Sequence, residues 1–327
     1  MNTSAPRASG IWYAIGAYVL WGLLPLYFLS LAPVGAWELV AMRILFSVAF
    51  CALLILLTKN WRPFWSLARQ PRVLLLFGLA GALIWVNWTV YVVAVLSDHV
   101  VEASLGYFIN PLVTIFLGVF LLRERLRPLQ WTAVAISFVA VVVLSVAYGQ
   151  IPYLALTLAV TFGLYGFVKK KAGPSVDALS GLTLETVWLV PIAIVQLVLV
   201  AQSTGIVFGN AGVPNAVLLS LAGIVTATPL LMFAAAARRV PLVYLGLFQF
   251  AAPVMQFIVA VAILHEAMTT ERWVGFIIIW VACAVLIVDA LRSARAHRAD
   301  IDPQLPADET DPLASIDDVL RNPSSRD

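Results

Sequence analysis

The sequence has few charged residues and almost no cysteine or histidine. Of its 327 residues, 11% are charged and 62% are hydrophobic, whereas roughly 25% of the residues in soluble proteins are charged. The two cysteines, Cys51 and Cys283, lie inside apolar runs, and the three histidines show no metal-ligand spacing. These shortages exclude a soluble enzyme, a disordered chain and a disulfide framework, and they predict neither a metal site nor a cofactor.

Long apolar runs recur along the chain, and each can cross about 30 Å of hydrocarbon as a helix. They do not alternate in polarity as the strands of a membrane barrel do, and helices satisfy their own backbone groups in lipid. We therefore predict an all-α integral membrane protein with ten transmembrane helices at 11–31, 36–58, 73–96, 99–122, 128–147, 151–168, 178–201, 215–237, 240–264 and 273–291.

The chain resembles itself at an offset of 142 residues, since Leu79-Ala80-Gly81 falls on Leu221-Ala222-Gly223 and Pro111 falls on Pro253. Each half holds five spans, an odd number, so the second half must enter the membrane upside down. We predict two inverted-topology five-helix repeats, a common architecture of secondary transporters. The predicted boundaries are a cytoplasmic N-terminus, two repeats and an acidic, disordered cytoplasmic tail, at 1–10, 11–147, 151–291 and 292–327.

Basic residues cluster on one side of these spans. With the N-terminus in the cytoplasm, 18 of the 20 Lys and Arg residues fall inside, Arg272 falls outside, and Arg43 lies within a span. This asymmetry predicts that both termini are cytoplasmic. The basic residues sit in short loops and form no nucleic-acid motif, so the predicted partners are the lipid bilayer and a small-molecule substrate. A homodimer and a coupling proton stay open.

Ionisable side chains within a span are candidates for function because their burial costs several kcal/mol. Arg43 and Glu185 correspond at the repeat offset, so a pair or a shared cavity is one hypothesis and two separate structural contacts are the alternative. Glu38 lies near the end of its span, where we expect it to contact water. Polar faces on several spans predict a hydrated cavity, and interhelical hydrogen bonding is the alternative. The residues that share such a face are Glu102 with Asn110, Asn87 with Tyr91, and Gln249 with Gln256.

The most specific segment reads Glu102-Ala103-Ser104-Leu105-Gly106-Tyr107-Phe108-Ile109-Asn110-Pro111-Leu112. Together with Trp21-Gly22, Asn87-Trp88 and Glu185-Thr186, it resembles the RarD-like branch of the EamA family, in the drug/metabolite transporter superfamily. The resemblance covers nearly all of residues 10–292 and implies a bacterial inner-membrane permease, usually described as an exporter. In span 9 the chain departs from the family, which tends to carry a Tyr after Gln249 and a Gly before Pro253.

The leading hypothesis is a secondary transporter that exports a small metabolite or drug-like molecule by alternating access. Glu102 and Glu185 would couple protons or bind a cationic group, and Arg43 would counter their charge or hold a substrate carboxylate. Pro111 and Pro253 would let their helices bend. A passive channel or facilitator of the same fold is the alternative. A membrane enzyme is disfavoured, because the sequence has no catalytic motif and its longest loops hold about a dozen residues.

Overall fold

The computed structural model describes residues 8–122, 126–172, 176–237, 239–240 and 248–301, and every regular element within those ranges is helical. In chain order the helices are α1 (Ala8–Leu29), α2 (Ala36–Thr58), α3 (Trp61–Ala68), α4 (Pro71–Leu96), α5 (Val100–Leu122), α6 (Pro128–Tyr148), α7 (Tyr153–Ala172), α8 (Ala178–Ser203), α9 (Val213–Ser220), α10 (Ala222–Ala237), α11 (Ala251–Ile258), a π-helix (Val259–Ile263) and α12 (Thr270–Ile301).

Eight helical stretches are long and apolar enough to cross a membrane. Two shorter apolar stretches, Tyr153–Lys169 and Ala251–Ile263, stand where the sequence predicts two further spans. The prediction of an all-helical, multi-pass membrane protein is confirmed for the described residues, while the count of ten spans stays a prediction. The eight are Ser9–Leu29, Ala36–Thr58, Pro71–Leu96, Val100–Leu117, Pro128–Val146, Ala178–Ser203, Val213–Ala236 and Thr270–Ser293.

Helix α3 is an element that the sequence analysis did not predict. It is eight residues long and lies between two spans, with Leu67 buried and with Trp61 and Trp65 exposed. A short helix with one apolar face and tryptophans at its edge suits the boundary between lipid headgroups and acyl chains. It was not predicted because its eight residues stand between two long apolar runs and contain Arg62 and Pro63, so they resemble a connecting loop.

Two predicted spans contain a turn residue. In the run at 215–237 this is Leu221, between α9 and α10, where the helical hydrogen bonds of Leu221 N to Val217 O and of Val225 N to Leu221 O continue. In the run predicted at 240–264, residues 241–247 lie outside the described part, Gln249 and Phe250 form a turn, and α11 then passes into the π-helix. Gln249 lies in this turn, and Gln256 lies within α11.

The last helix runs further than predicted. Helix α12 ends at Ile301, ten residues beyond the predicted end of the span at 291. The predicted tail at 292–327 thus begins inside this helix, and its remainder at 302–327 lies outside the described residues. Successive arginines in this segment reduce its hydropathy and end the membrane-spanning signal, but they do not oppose helix formation.

Helix packing follows a repeated pattern across the two predicted halves. Helix α2 packs on α8, and α6 packs on α12, so each of these pairs joins equivalent spans of the two halves. Helix α1, the first span of the first predicted half, packs on α10, the third span of the second. Helix α7, the first span of the second predicted half, packs on α4, the third span of the first. Helices of the two predicted halves therefore pack against one another, and the space between them is where a site shared by both predicted halves can form.

Candidate functional site

A cavity of about 590 Å³ lies between the two halves. It falls within the range of roughly 300–1,000 Å³ that is typical of small-molecule sites. Its wall includes eight aromatic side chains, two amides from each half and the basic residues Arg43 and Lys169. The aromatic residues are Tyr18, Trp21, Trp88, Tyr91, Tyr107, Phe162, Tyr165 and Phe233.

The cavity extends to one end of the helix bundle. Its wall includes Lys169 near the end of α7, Val176 in the connection and Ala178 at the start of α8. We call this end the basic face, and define it by residues 59–70, 126–127, 176–177 and 239–240, which connect or flank helix ends there. The opposite end, which we call the clasp face, is formed by residues 30–35, 97–99, 149–152, 204–212 and 264–269.

Arg43 on α2 is buried at the cavity wall, with 3% of its surface exposed. Its Nε donates a hydrogen bond to Thr226 Oγ1 on α10 at 2.6 Å, and the guanidinium carbon lies 4.3 Å from the Trp88 ring centroid and 5.3 Å from that of Phe28. Cations over aromatic faces are attracted by the ring quadrupole. Arg43 forms no ion pair with any described residue, so its charge is not neutralised by the fold.

Glu185 on α8 is also buried, but it does not meet Arg43. Its carboxylate lies 2.9 Å from Lys169 Nζ, and Tyr165 Oη donates a hydrogen bond to it at 3.1 Å. Lys169 Nζ in turn lies 3.0 Å from Tyr165 Oη, which closes a triangle of three polar groups at the wall of the cavity. Lys169 and Tyr165 line the cavity and Glu185 stands behind them.

The sequence analysis missed Lys169, which it assigned to a cytoplasmic loop. Helix α7 extends four residues beyond the predicted span end at 168, so Lys169 lies one turn after Tyr165 on the same face. The i, i+4 spacing of Tyr165 and Lys169 was the available signal. It was obscured because three consecutive lysines are typical of a cytoplasmic loop.

The predicted amides and Tyr91 lie along the cavity wall. Asn87 Nδ2 donates to Leu158 O and Thr161 Oγ1, both at 3.0 Å, so this amide also ties α4 to α7. Gln256 Nε2 donates to Trp21 O at 3.1 Å. Polar atoms without a partner among the described residues remain on Asn110 Oδ1, Tyr91 Oη and Gln256 Oε1. Gln249 lines the cavity as well.

The two predicted bending prolines differ in position. Pro111 is inside α5, where it removes a backbone hydrogen bond from the helix interior. Pro253 is the third residue of α11, in the first turn, where a missing N–H leaves no intrahelical bond unmade. Pro253 lines the cavity and Pro111 does not. Pro253 thus lies in the first turn of α11, and its role in bending the span stays a prediction.

Glu102 does not line the cavity and instead holds the start of α7. Its carboxylate accepts hydrogen bonds from the backbone N–H groups of Leu154 at 3.1 Å and Ala155 at 3.5 Å. These N–H groups belong to the first turn of a helix, where no intrahelical acceptor is available and negative charge is favoured. Its role as a substrate or coupling-ion site stays a prediction.

Two further carboxylates accept hydrogen bonds from backbone N–H groups at the clasp face. Glu38 on α2 accepts from the backbone N–H of Val207 at 3.0 Å and of Phe208 at 2.8 Å. Glu266 accepts from Val100 N at 2.6 Å and Val101 N at 2.9 Å, at the start of α5. The expectation that Glu38 contacts water is wrong. Only 1% of the surface of Glu38 is exposed, and its carboxylate is hydrogen bonded to these two N–H groups.

We call these three contacts, made by Glu38, Glu102 and Glu266, the carboxylate clasps. Each one joins a residue of the predicted first half to a residue of the second. The basic face has one comparable inter-half contact among the described residues, an ion pair of Arg127 with Asp289 at 2.6 Å. The carboxylate clasps thus close one end of the bundle, and the cavity reaches the other.

The chain belongs to the EamA-like transporter family and is a RarD-like permease of that family. The family model matches residues 8–146. The chain is 45% identical over 306 residues to Protein RarD of Streptomyces exfoliatus, covering 94% of this chain and 96% of that protein. It is 39% identical over 290 residues to an uncharacterized transporter of Vibrio cholerae, covering 88% and 95% respectively. The resemblance predicted from the sequence is confirmed.

A solved crystal structure shares the fold. It superimposes with a TM-score of 0.56 at 22% sequence identity, and the match covers 88% of this chain and 99% of the other. At that identity the likeness concerns the fold alone. Among the described residues, no group of three or more His, Cys, Asp or Glu side chains is arranged to hold a metal ion.

Proposed function

We propose that the protein is a secondary transporter that exports a small organic molecule across the bacterial inner membrane by alternating access. The observation that carries this proposal is the cavity of about 590 Å³, which reaches the basic face while the carboxylate clasps close the other end. A site accessible from one side only, between two halves that can rock, is what alternating access requires.

The proposal includes ten spans in two inverted repeats. The packing of α2 on α8 and of α6 on α12 supports it, because a two-fold relation between halves brings equivalent spans together. The turn at Gln249 and Phe250 supports it too, since interrupted spans often border transporter sites. The excess of Lys and Arg on the basic face supports a cytoplasmic location of that face and of both termini.

Outward release then requires the carboxylate clasps to separate. A hydrogen bond to a charged group contributes about 1.5–3 kcal/mol, so their combined loss is large enough to keep the outer end closed without substrate. Lys169, Glu185 and Tyr165 are the candidates for proton coupling. Protonation of Glu185 would remove its attraction to Lys169, and would free the lysine side chain at the wall of the cavity.

The first test compares the medium of cells that make either the wild type or Glu185→Gln at equal levels, by untargeted metabolite analysis. We expect a compound enriched by the wild type alone. The purified protein is then reconstituted in vesicles, with that compound and an imposed proton gradient. Transport that ignores the proton gradient would support a facilitator of the same fold and contradict secondary transport. If neither protein enriches any compound and vesicles show no uptake, the transport proposal fails.

A further inference from the structure

Arg43 is a buried cation that no described residue neutralises. Its Nη1 is buried and has no hydrogen-bond partner in the described part of the chain, and its Nε is bonded only to the neutral hydroxyl of Thr226. An uncompensated charge in the interior costs several kcal/mol. The rings of Trp88 and Phe28 offset part of this cost but add no negative charge.

The cavity as a whole is therefore positive. Arg43 and Lys169 are the only charged residues in its described wall, and no aspartate or glutamate faces it there. Lys169 is already neutralised by Glu185 at 2.9 Å. One positive charge remains, which is that of Arg43. A cationic ligand would meet this charge without an available carboxylate to balance it.

The rest of the wall indicates the body of the ligand. The eight aromatic side chains provide flat apolar surfaces, which stack well on planar or apolar groups. Tyr91 Oη is a buried hydroxyl without a partner among the described residues, and it lines the same cavity as Arg43. It is thus available as a second donor to an anion held by the guanidinium.

We propose that the transported molecule is an organic monoanion, a carboxylate with an aromatic or similarly flat apolar body, whose carboxylate binds Arg43. This inference rests on the proposed transport function and specifies the substrate class of the same cavity. A guanidinium binds a carboxylate through two parallel hydrogen bonds, and the single unpaired charge matches one negative charge. The Asn110 and Gln256 oxygens can accept hydrogen bonds from hydroxyl or N–H groups elsewhere on the molecule.

A charge series tests the inference on the wild-type protein. The full chain in lipid nanodiscs is titrated by calorimetry with 3-phenylpropanoate, 3-phenylpropanamide and 3-phenylpropylamine, which share a ring and differ in charge. We expect the carboxylate to bind at least about tenfold more tightly than the amide, and the amine to bind most weakly. Equal affinities, a preference for the amine, or no binding of the carboxylate would overturn the inference.

Variants locate the anion at Arg43. Arg43→Gln should weaken carboxylate binding at least about tenfold and abolish the preference over the amide, while Arg43→Lys keeps part of it because the charge remains. The matched control Arg62→Gln removes an equal charge from an exposed position on α3 and should change neither affinity. If Arg43→Gln fails to fold, Arg43→Lys and the charge series on the wild type still test whether an anion binds at Arg43.

The two proposals fail in different ways. If vesicles containing the wild type transport only neutral or cationic compounds, the protein is a transporter and the assignment of an anion is wrong. If the carboxylate binds at Arg43 but no compound crosses the vesicle membrane, the anion site is supported and the transport proposal is contradicted.

Discussion

Arg43 and Glu185 stand 142 residues apart, at the repeat offset, yet they do not form a pair. Glu185 is neutralised by Lys169 at 2.9 Å, and Arg43 is hydrogen bonded to Thr226 and lies over the Trp88 ring. Equivalent positions in the two halves thus have opposite charges and different partners. Among the described residues, Lys169 at the cavity wall thus has a carboxylate partner, whereas Arg43 at the same wall has none.

Glu185→Gln should abolish the pH dependence of transport, because the amide cannot lose or gain a proton in the working range. Lys169 then keeps its charge without a counter-ion, and we expect the free energy of unfolding to fall by about 2 kcal/mol. The loss is modest because the Lys169 side chain is 36% exposed to solvent. Transport is measured in vesicles at several pH values, with Glu185→Asp as the matched variant that keeps the charge. Wild-type transport with wild-type pH dependence in Glu185→Gln would remove Glu185 from the coupling role.

Glu38→Ala should make the cavity accessible from the clasp face. The substitution removes the acceptor for the Val207 and Phe208 N–H groups, and the loss of a contact of about 1.4 kcal/mol changes a two-state population about tenfold. The reporter is Leu24→Cys at the cavity wall, in a background with Cys51 and Cys283 replaced by alanine.

Labelling by an impermeant maleimide added at the clasp face should rise in Glu38→Ala. Asp289→Asn is the control, since it breaks the inter-half ion pair with Arg127 at the basic face and should leave labelling from the clasp face unchanged. Equal labelling of the wild type and Glu38→Ala would show that Glu38 does not hold this end closed.

Glu266 should give a stability difference that depends on pH. Burial raises the pKa of the Glu266 carboxyl, Asp98 raises it further, and the Val100 and Val101 N–H groups and His99 oppose the shift. A carboxyl with a raised pKa stabilises the folded state below its ordinary pKa of about 4.3 and loses that contribution as the pH rises. The melting temperature of Glu266→Gln should therefore increase relative to the wild type between about pH 4 and pH 7.

Thermal melts of both proteins across this range check the prediction. A melting-temperature difference between Glu266→Gln and the wild type that stays constant with pH would contradict the raised pKa of Glu266.

Gly223→Ala should destabilise the protein by about 1–3 kcal/mol and impair ligand binding. A Cβ at Gly223 would collide with the backbone of Phe46 on α2, which cannot move as a side chain can. Thr226 lies one turn further on α10, so displacement of α10 would also weaken its hydrogen bond to Arg43. Gly35→Ala is the control, because a Cβ there meets nothing within 4 Å. Equal melting temperatures for the two variants would refute this packing argument.

The sequence predicted most helices to within a few residues, because continuous apolar runs bounded by charged loops are a strong signal. Helix α2 begins and ends where predicted, at Ala36 and Thr58. The turn at Gln249 and Phe250 was not predicted, since an apolar run looks the same whether or not its helix is interrupted. Membership of the EamA-like family came from specific motifs and is confirmed.

The position of the candidate residues was more predictable than their pairing. The residues that line the cavity include Arg43, Asn87, Tyr91, Asn110, Gln249 and Gln256, and their role in a functional site stays a prediction. The partners of Glu38 and Glu266 are backbone N–H groups more than 160 residues away in the chain. No local pattern encodes such a contact, because it depends on how helices are rotated and placed, and every residue except proline offers the same donor.

Because the donors of the carboxylate clasps are backbone N–H groups, the clasp face tolerates some substitutions and not others. At Val207, Val100 and Leu154 the side chain takes no part in the carboxylate clasp, so apolar replacements there leave the contact intact, and only proline removes the donor. The acceptor side has no such freedom, because a shorter or neutral residue loses reach or charge. We therefore expect related chains to vary in sequence at the donor positions and to keep all three glutamates.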